Sequence, residues 1–372
     1  MLLALALGGA AHAAHEPFVA RERAHLSRAR AQLAEQVARP RADAVRALQR
    51  YTHEVDRLVR AADRQVAKEI GKAPLDPTTG KPVAYELFAM GSYGRRELAP
   101  FSDLDYGILT ARSSPQVRRY FSRYARHLGD LLGAIDGAGR LRPCTGMSPT
   151  GSYGDALVDT PDSLASCVAG SSRAVAKRAV REREYIQAAL SSTRPVVRRG
   201  RAGLHRRFVG ETRALLSPNR GPLVEHLLPS LRDPFGLPAA AADPAWSRGL
   251  ATPAPKDPER AINAGQVNIK HDILRAFQIP VLVLRQLHGI RATDTASVLR
   301  QLERRGKIEP ALGQGLRRAL QDALRLRTRQ HLAAGAPDDR LGKIGPREQR
   351  QIREMVPLLK ALRQMVEPTA AP

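Results

Sequence analysis

The sequence predicts a short mixed α/β sheet with helices, followed by an all-α helical bundle. Three observations lead there. Aromatic residues are only 4% of the chain against 43% hydrophobic, so the core rests on Leu, Val, Ala and Ile, which favours helices over an all-β sandwich. Two apolar runs, at 83–90 and 104–109, read as strands that lie too close together in sequence for a parallel crossover. Beyond residue 260, apolar residues recur almost entirely at helical spacing.

The elements follow in order. Apolar positions from Leu26 to Val66 carry helical spacing amid many charges, and Pro40 divides them into two helices. Gly71 to Pro82 is turn-rich. The strand 83–90 ends at Gly91, the strand 104–109 follows, and Val117, Tyr120, Phe121, Tyr124, Leu128 and Leu131 line one face of the next helix. Residues 140–160 are rich in Gly, Pro and Ser, helical character returns over 162–190, and 228–258 reads as a Pro-rich linker. Four helices close the chain, marked by the stripes Ile273–Leu287, Val298–Leu302 and Leu312–Leu324 and by a last helix over 346–366. These stripes are best buried in a four-helix bundle. The expected division is a helical segment at 1–70, an α/β domain at 71–200, a partly helical linker at 201–260 and the bundle at 261–372.

Composition narrows the function. Cys144 and Cys167 are the only cysteines, which excludes a disulfide scaffold and a cysteine zinc site. No apolar run has the length of a membrane span. The net charge of +24 and a pI near 11.1 raise the prospect of a polyanionic partner. The charges are spread along the chain, however, as Arg at surface positions would be, and no reader module or interleaved aromatics point to nucleic acid. Met1 to Ala14 is apolar and ends in Ala-His-Ala, like a short signal peptide. No basic residue precedes it, so the expectation is a retained helix start or an upstream-misassigned beginning, with secretion as the alternative.

The informative segment runs from Met90 to Tyr106, MGSYGRRELAPFSDLDY. Gly91 lets backbone N–H groups approach a triphosphate, and the Ser92 hydroxyl adds a donor. Asp103 and Asp105 are two residues apart on an extended segment, so both side chains point to one face. Two carboxylates so close repel each other, and a divalent cation removes that cost. Mg²⁺ (or Mn²⁺) is commonly held by one or two carboxylates plus substrate phosphates, and such ions activate an attacking hydroxyl and stabilise leaving pyrophosphate.

This constellation resembles the DNA polymerase beta nucleotidyltransferase superfamily. The fuller string, Gly-Ser-x-Gly-Arg-x-Glu-Leu-x-Pro-x-Ser-Asp-x-Asp, is similar to the catalytic domain of the PII-protein uridylyltransferases and of their shorter relatives, often fused to CBS or cyclic-nucleotide modules. The resemblance implies an α/β nucleotidyltransferase domain with a helical substrate-binding half. It implies metal-dependent transfer of UMP or AMP from a nucleoside triphosphate to an acceptor hydroxyl on a protein, in the cytoplasm, where the donor is abundant. Asp103 and Asp105 would be catalytic and hold the metal. Gly91, Ser92, Gly94, Arg95 and Ser102 would bind nucleotide, with Glu97 also matching the motif. Lys270 matches the family's Lys-containing element, and His288-Gly289-Ile290, Thr295, Leu326-Arg327 and Gln330 resemble its helical half.

Two positions depart from the pattern. Arg96 stands where these families usually have Gly. A third carboxylate, often two residues before an Arg, would fall on Ser192, ahead of Arg194. Either Asp155 or Asp159 supplies that group, or the site is impaired and the protein is a nucleotide-binding sensor. Gly151 to Gly154 repeats four letters of the motif with no Asp-x-Asp after it and reads as a loop. His271-Asp272 reads as surface charge at a helix start rather than a phosphohydrolase pair, His226 and His331 as structural, and Cys144 as a buried thiol or a pocket residue.

Overall fold

The computed structural model describes residues 2–39, 42–137, 158–161, 192–200, 203–216, 267–341 and 345–366. The expectations for 162–190, the Pro-rich 228–258, the Gly151–Gly154 repeat, Asp155, His226 and both cysteines lie outside the described residues.

Two long helices open the chain, α1 (Leu2–Ala38) and α2 (Ala44–Ile70). The apolar start, residues 2–14, is helical and continuous with α1. Asp43 caps α2 by accepting from the Arg46 N–H. Strand β1 (Tyr85–Ala89) leads into a single helical turn, α3 (Gly91–Gly94), and then into β2 (Tyr106–Thr110). Helix α4 (Pro115–Asp136) begins with Ser114 as its cap. The short β3 (Val158–Asp159), then β4 (Arg194–Arg199), complete the sheet, and α5 (Leu204–Leu216) follows. Both predicted strands are shorter than expected and start later. The β1–β2 ladder runs from Tyr85↔Thr110 to Ala89↔Tyr106, and the segment 103–105 leads into it.

The sheet order is β3-β2-β1-β4. Strands β4, β1 and β2 are antiparallel neighbours, and β3 joins β2 in parallel, so the sheet is mixed as expected. One face carries α2 and α4. There Tyr85, Phe121 and Tyr124 meet edge to face with ring centroids 5.0–6.0 Å apart. The other face carries α5, with Phe208 and His205 against Phe88.

The C-terminal part is all helix. A π-helical turn (Ile269–Leu274) runs into α6 (Arg275–Leu287), followed by α7 (Thr295–Arg304), α8 (Pro310–Ala334) and α9 (Pro346–Gln364). The predicted stripes form its interior: Ile273, Phe277, Leu284, Leu299, Leu320 and Leu359 are each at most 2% exposed. Helix α8 also packs on α1 and α2. Gln321 reaches across to the Asp43 carboxylate and the Val45 N–H, so the bundle rests on the amino-terminal helices.

One buried carboxylate ties α2 to the sheet and to α4. Asp63 is 1% exposed and accepts from the hydroxyls of Tyr85 (2.7 Å) and Tyr124 (2.6 Å) and from the Arg199 guanidinium. Burial, and then the Asp63 charge, push both tyrosines above their ordinary pKa. Removing Asp63 strands two buried hydroxyl donors and leaves the half-exposed Arg199 without its carboxylate. Asp63→Ala is expected to cost about 3–5 kcal/mol of stability in urea denaturation. A loss below about 1 kcal/mol, the range of a solvent-exposed pair, would contradict this role.

Candidate active site

The segment between β1 and β2 is a tight, buried loop. Met90 is extended, and Gly91 adopts φ +55°, in the left-handed region that favours glycine. The Gly94 N–H closes on the Met90 carbonyl at 2.7 Å, and the Glu97 N–H on the Ser92 carbonyl at 2.9 Å. Space also demands the glycines. A Cβ on Gly91 would stand 2.5 Å from Asp105 Oδ2, and one on Gly94 would stand 1.8 Å from the Ser192 carbonyl oxygen. The return path is fastened at Pro100, whose carbonyl accepts from the Tyr51 hydroxyl (2.9 Å) and from Arg30 Nε (3.1 Å). Arg30 lies over the Phe101 ring and pairs with the buried Asp136 carboxylate.

Asp103 and Asp105 are half-buried, with the fully buried Leu104 between them. The Met90 N–H donates to the Asp105 carbonyl at 2.7 Å, which places Asp105 opposite Met90, one step beyond Ala89↔Tyr106. Tyr106 belongs to the face of Tyr85 and Ala89, covered by α2 and α4. Asp105 therefore belongs to the face of Phe88, and Asp103 shares its parity. Asp103 forms no ion pair with a described residue. Two carboxylates on one face, one lying against an open glycine backbone, suit a divalent cation with phosphate oxygens. Among the described residues no group of three His, Cys, Asp or Glu stands close enough together to hold an ion.

Ser92 is half-buried, and no described residue engages its hydroxyl. Arg95, expected at the nucleotide, binds Glu97 through Nε at 2.9 Å. Ser102, also expected there, is buried and accepts from Arg327 on α8 at 3.0 Å. Lys270 is half-buried in the π-helical turn, and its charge reaches His331. Between them lies a cluster that sequence reading missed. Arg327 Nε and His331 Nε2 both meet Asp339 Oδ1, at 2.6 and 2.8 Å. Burial pushes the Asp339 carboxyl up, but the His331 hydrogen bond and the Arg327 charge outweigh it and hold the group well below the ordinary carboxylate range.

Glu97, matched by the motif but given no role, is 1% exposed and spans the two halves of the chain. Its oxygens accept from Arg95, from Gln278 Nε2 on α6 (2.9 Å) and from the Thr295 N–H at the start of α7 (3.0 Å). A carboxylate at a helix N-terminus is stabilised by the unsatisfied N–H groups there. Asp272 corrects the surface-charge reading: it is buried and accepts from the Asn268 N–H at 2.8 Å.

The segment around Ser192 sits beside the loop, through the contact of its carbonyl with Gly94. Arg194 forms a two-pronged pair with Asp56 on α2, at 2.6 and 2.7 Å, and donates to the Tyr93 carbonyl. The preceding Thr193 places Oγ1 3.0 Å from His205 Nε2 on α5. Burial and the neighbouring Arg198 charge push His205 down to about 4. Asp159 lies opposite Leu109, four residues along β2 from Asp105 and on the strand farthest from β4, which removes it as the third carboxylate.

With this geometry established, comparison with protein families gives two matches. Residues 28–146 match the family described as "Putative nucleotidyltransferase DUF294". Residues 257–369 match its companion, described as "Putative nucleotidyltransferase substrate binding domain". No curated protein matches the chain.

The backbone at position 96 is one that suits a glycine. Arg96 is exposed and has φ +60°, the one positive φ among the described non-glycine residues. That conformation costs a side-chain-bearing residue about 1–2 kcal/mol. Arg96→Gly is expected to raise stability by up to about 1 kcal/mol, once the added freedom of the unfolded glycine is subtracted. Thermal and denaturant unfolding check this, and a destabilised variant would show that the arginine side chain outweighs the strain.

Proposed function

We propose, for a chain that belongs to the nucleotidyltransferase family described by these two models, that it transfers UMP or AMP from a nucleoside triphosphate to a protein hydroxyl and releases pyrophosphate. What supports this reading is the alternation of half-buried Asp103 and Asp105 around the fully buried Leu104, with Asp105 against the bare backbone of Gly91. A bound Mg²⁺ or Mn²⁺ would supply charge neutralisation at the phosphates and acidify the attacking hydroxyl.

The residues of the chain do the rest. Asp103 and Asp105 hold the cation, and the Gly91–Ser92 backbone and the Ser92 hydroxyl hold phosphate oxygens. Glu97 and Ser102, engaged by the helical half, fix the two flanks of the loop and so the separation of its donors. Lys270, whose charge like that of Arg327 reaches His331, supplies a positive charge for phosphate. Gly94 and Arg95 shape the loop, Gly94 through its closeness to Ser192 and Arg95 through Glu97. A nucleoside triphosphate donor implies the cytoplasm, and no helix among the described residues is long and apolar enough to cross a membrane.

A nucleotide-binding sensor is the second reading, favoured by the uncharged Ser192 where a third carboxylate is expected. Transfer assays on variants separate the two. Asp103→Asn and Asp105→Asn are each expected to abolish transfer with circular dichroism unchanged, and near-normal activity at saturating Mg²⁺ would refute the metal assignment. Ser92→Ala is expected to weaken nucleotide binding by about 1.5–3 kcal/mol, the loss of one hydrogen bond to a charged acceptor. Nucleotide binding without transfer to any protein would favour the sensor.

A further inference from the structure

We propose that Thr193, its hydroxyl held by His205, stands at the third corner of the candidate site and offers a neutral oxygen there, while Ser192 does not. This rests on the proposed function, because a third corner has meaning only if Asp103 and Asp105 hold a cation.

The register carries the assignment. On β1, Ala89 pairs with Tyr106 on one side and with Arg194 on the other. One step further along, the Met90 N–H donates to the Asp105 carbonyl, and continuing the β1–β4 pairing by the same step sets Thr193 on the other side of Met90, so that Asp105, Met90 and Thr193 fall in one row across the sheet. The contacts on each side agree. Arg194 runs to Asp56 on α2, on the covered face. Thr193 meets His205, whose ring lies near Phe88 on the opposite face, 5.9 Å between centroids. That is the face of Asp103 and Asp105. Ser192 shares the parity of Arg194, and its carbonyl packs on Gly94.

A bulge hides this from sequence. The β1–β4 register shifts between Leu87 and Phe88, where Leu87 pairs with Val197 and Phe88 with Pro195. The extra residue, Val196, reverses the inside–outside alternation for everything before it. Counting back from an arginine identifies a position but not the face on which its side chain lies.

The chemistry fits the place. His205 Nε2 and the Thr193 hydroxyl share one hydrogen bond at 3.0 Å, and whichever of the two donates, Oγ1 keeps a lone pair for a second partner. The backbone N–H of His205 donates to Glu86 Oε2 at 2.6 Å, which holds the start of α5 on the sheet. A threonine hydroxyl is an accepted oxygen ligand for Mg²⁺ beside phosphates. It contributes no charge, so it binds the cation more weakly than a carboxylate would.

Mn²⁺ titration followed by electron paramagnetic resonance tests this on the full chain, with non-hydrolysable ATP and UTP analogues present. Thr193→Asp adds a charged ligand and is expected to tighten Mn²⁺ binding by about tenfold or more. Ser192→Asp is expected to leave it nearly unchanged. Thr193→Val is expected to weaken it several-fold, and Thr193→Ser to keep it. If Thr193→Asp does not fold, the contrast between Thr193→Val and Ser192→Ala decides: only the first should weaken binding. Tightening by Ser192→Asp without Thr193→Asp would overturn the assignment and return the corner to Ser192. Mn²⁺ binding that ignores Asp103→Asn would overturn the reading of the whole site, a result distinct from failure at Thr193 alone.

Discussion

The buried carboxylate of Glu97 holds the rest of the site in place. It is desolvated, yet three donors engage it, from Arg95 in its own loop, Gln278 on α6 and the Thr295 N–H on α7. A buried charge is tolerable when its hydrogen bonds are made, and removing a partner exposes the full desolvation penalty. The contact joins residues separated by 181 and 198 positions. On the far flank, Arg327 reaches Ser102 across 225 positions. The stretch from Glu97 to Ser102, which joins Gly91 and Ser92 to Asp103, is thus clamped at both ends by the helical half.

This clamp bears on chemistry. Two carboxylates on one face repel each other until a cation arrives, and an unbraced loop would relieve the repulsion by moving apart. Holding the donors in place before the ligand binds removes a reorganisation cost at the moment of reaction. It also makes the helical half part of the geometry of the proposed site. The cluster of Arg327, Asp339 and His331 extends the same bracing to the π-helical turn, where the Ile269 N–H donates to the Asp339 carbonyl.

Much of this was legible in the sequence. The stripes at Ile273–Leu287 and Leu312–Leu324 announced their helices because burial of an apolar face repeats with the helical period. The Met90–Tyr106 string announced the loop, because a glycine forced to a positive φ and an Asp-x-Asp entering a strand are local features. The roles of Glu97 and Ser102 were not legible, since their partners lie hundreds of residues away and no local pattern encodes them. Arg95 was read as a phosphate ligand because its partner, two residues on, looked like another motif letter. Asp272 looked like surface charge because an Asp that caps a buried turn and a solvated Asp have the same spelling. The face on which Thr193 and Ser192 point depends on one bulged residue in β4.

The central claim is that phosphorus moves with the nucleoside rather than from the end of the triphosphate. The direct measurement incubates the full chain and Mn²⁺ with a lysate of the cells in which it is native, giving each nucleoside triphosphate labelled once at the α- and once at the γ-phosphorus. Nucleotidyl transfer predicts a protein band labelled from the α-phosphorus alone, with the γ-label recovered in pyrophosphate and no band formed by Asp103→Asn. A band labelled from the γ-phosphorus, or α-labelling that survives Asp103→Asn, would contradict it.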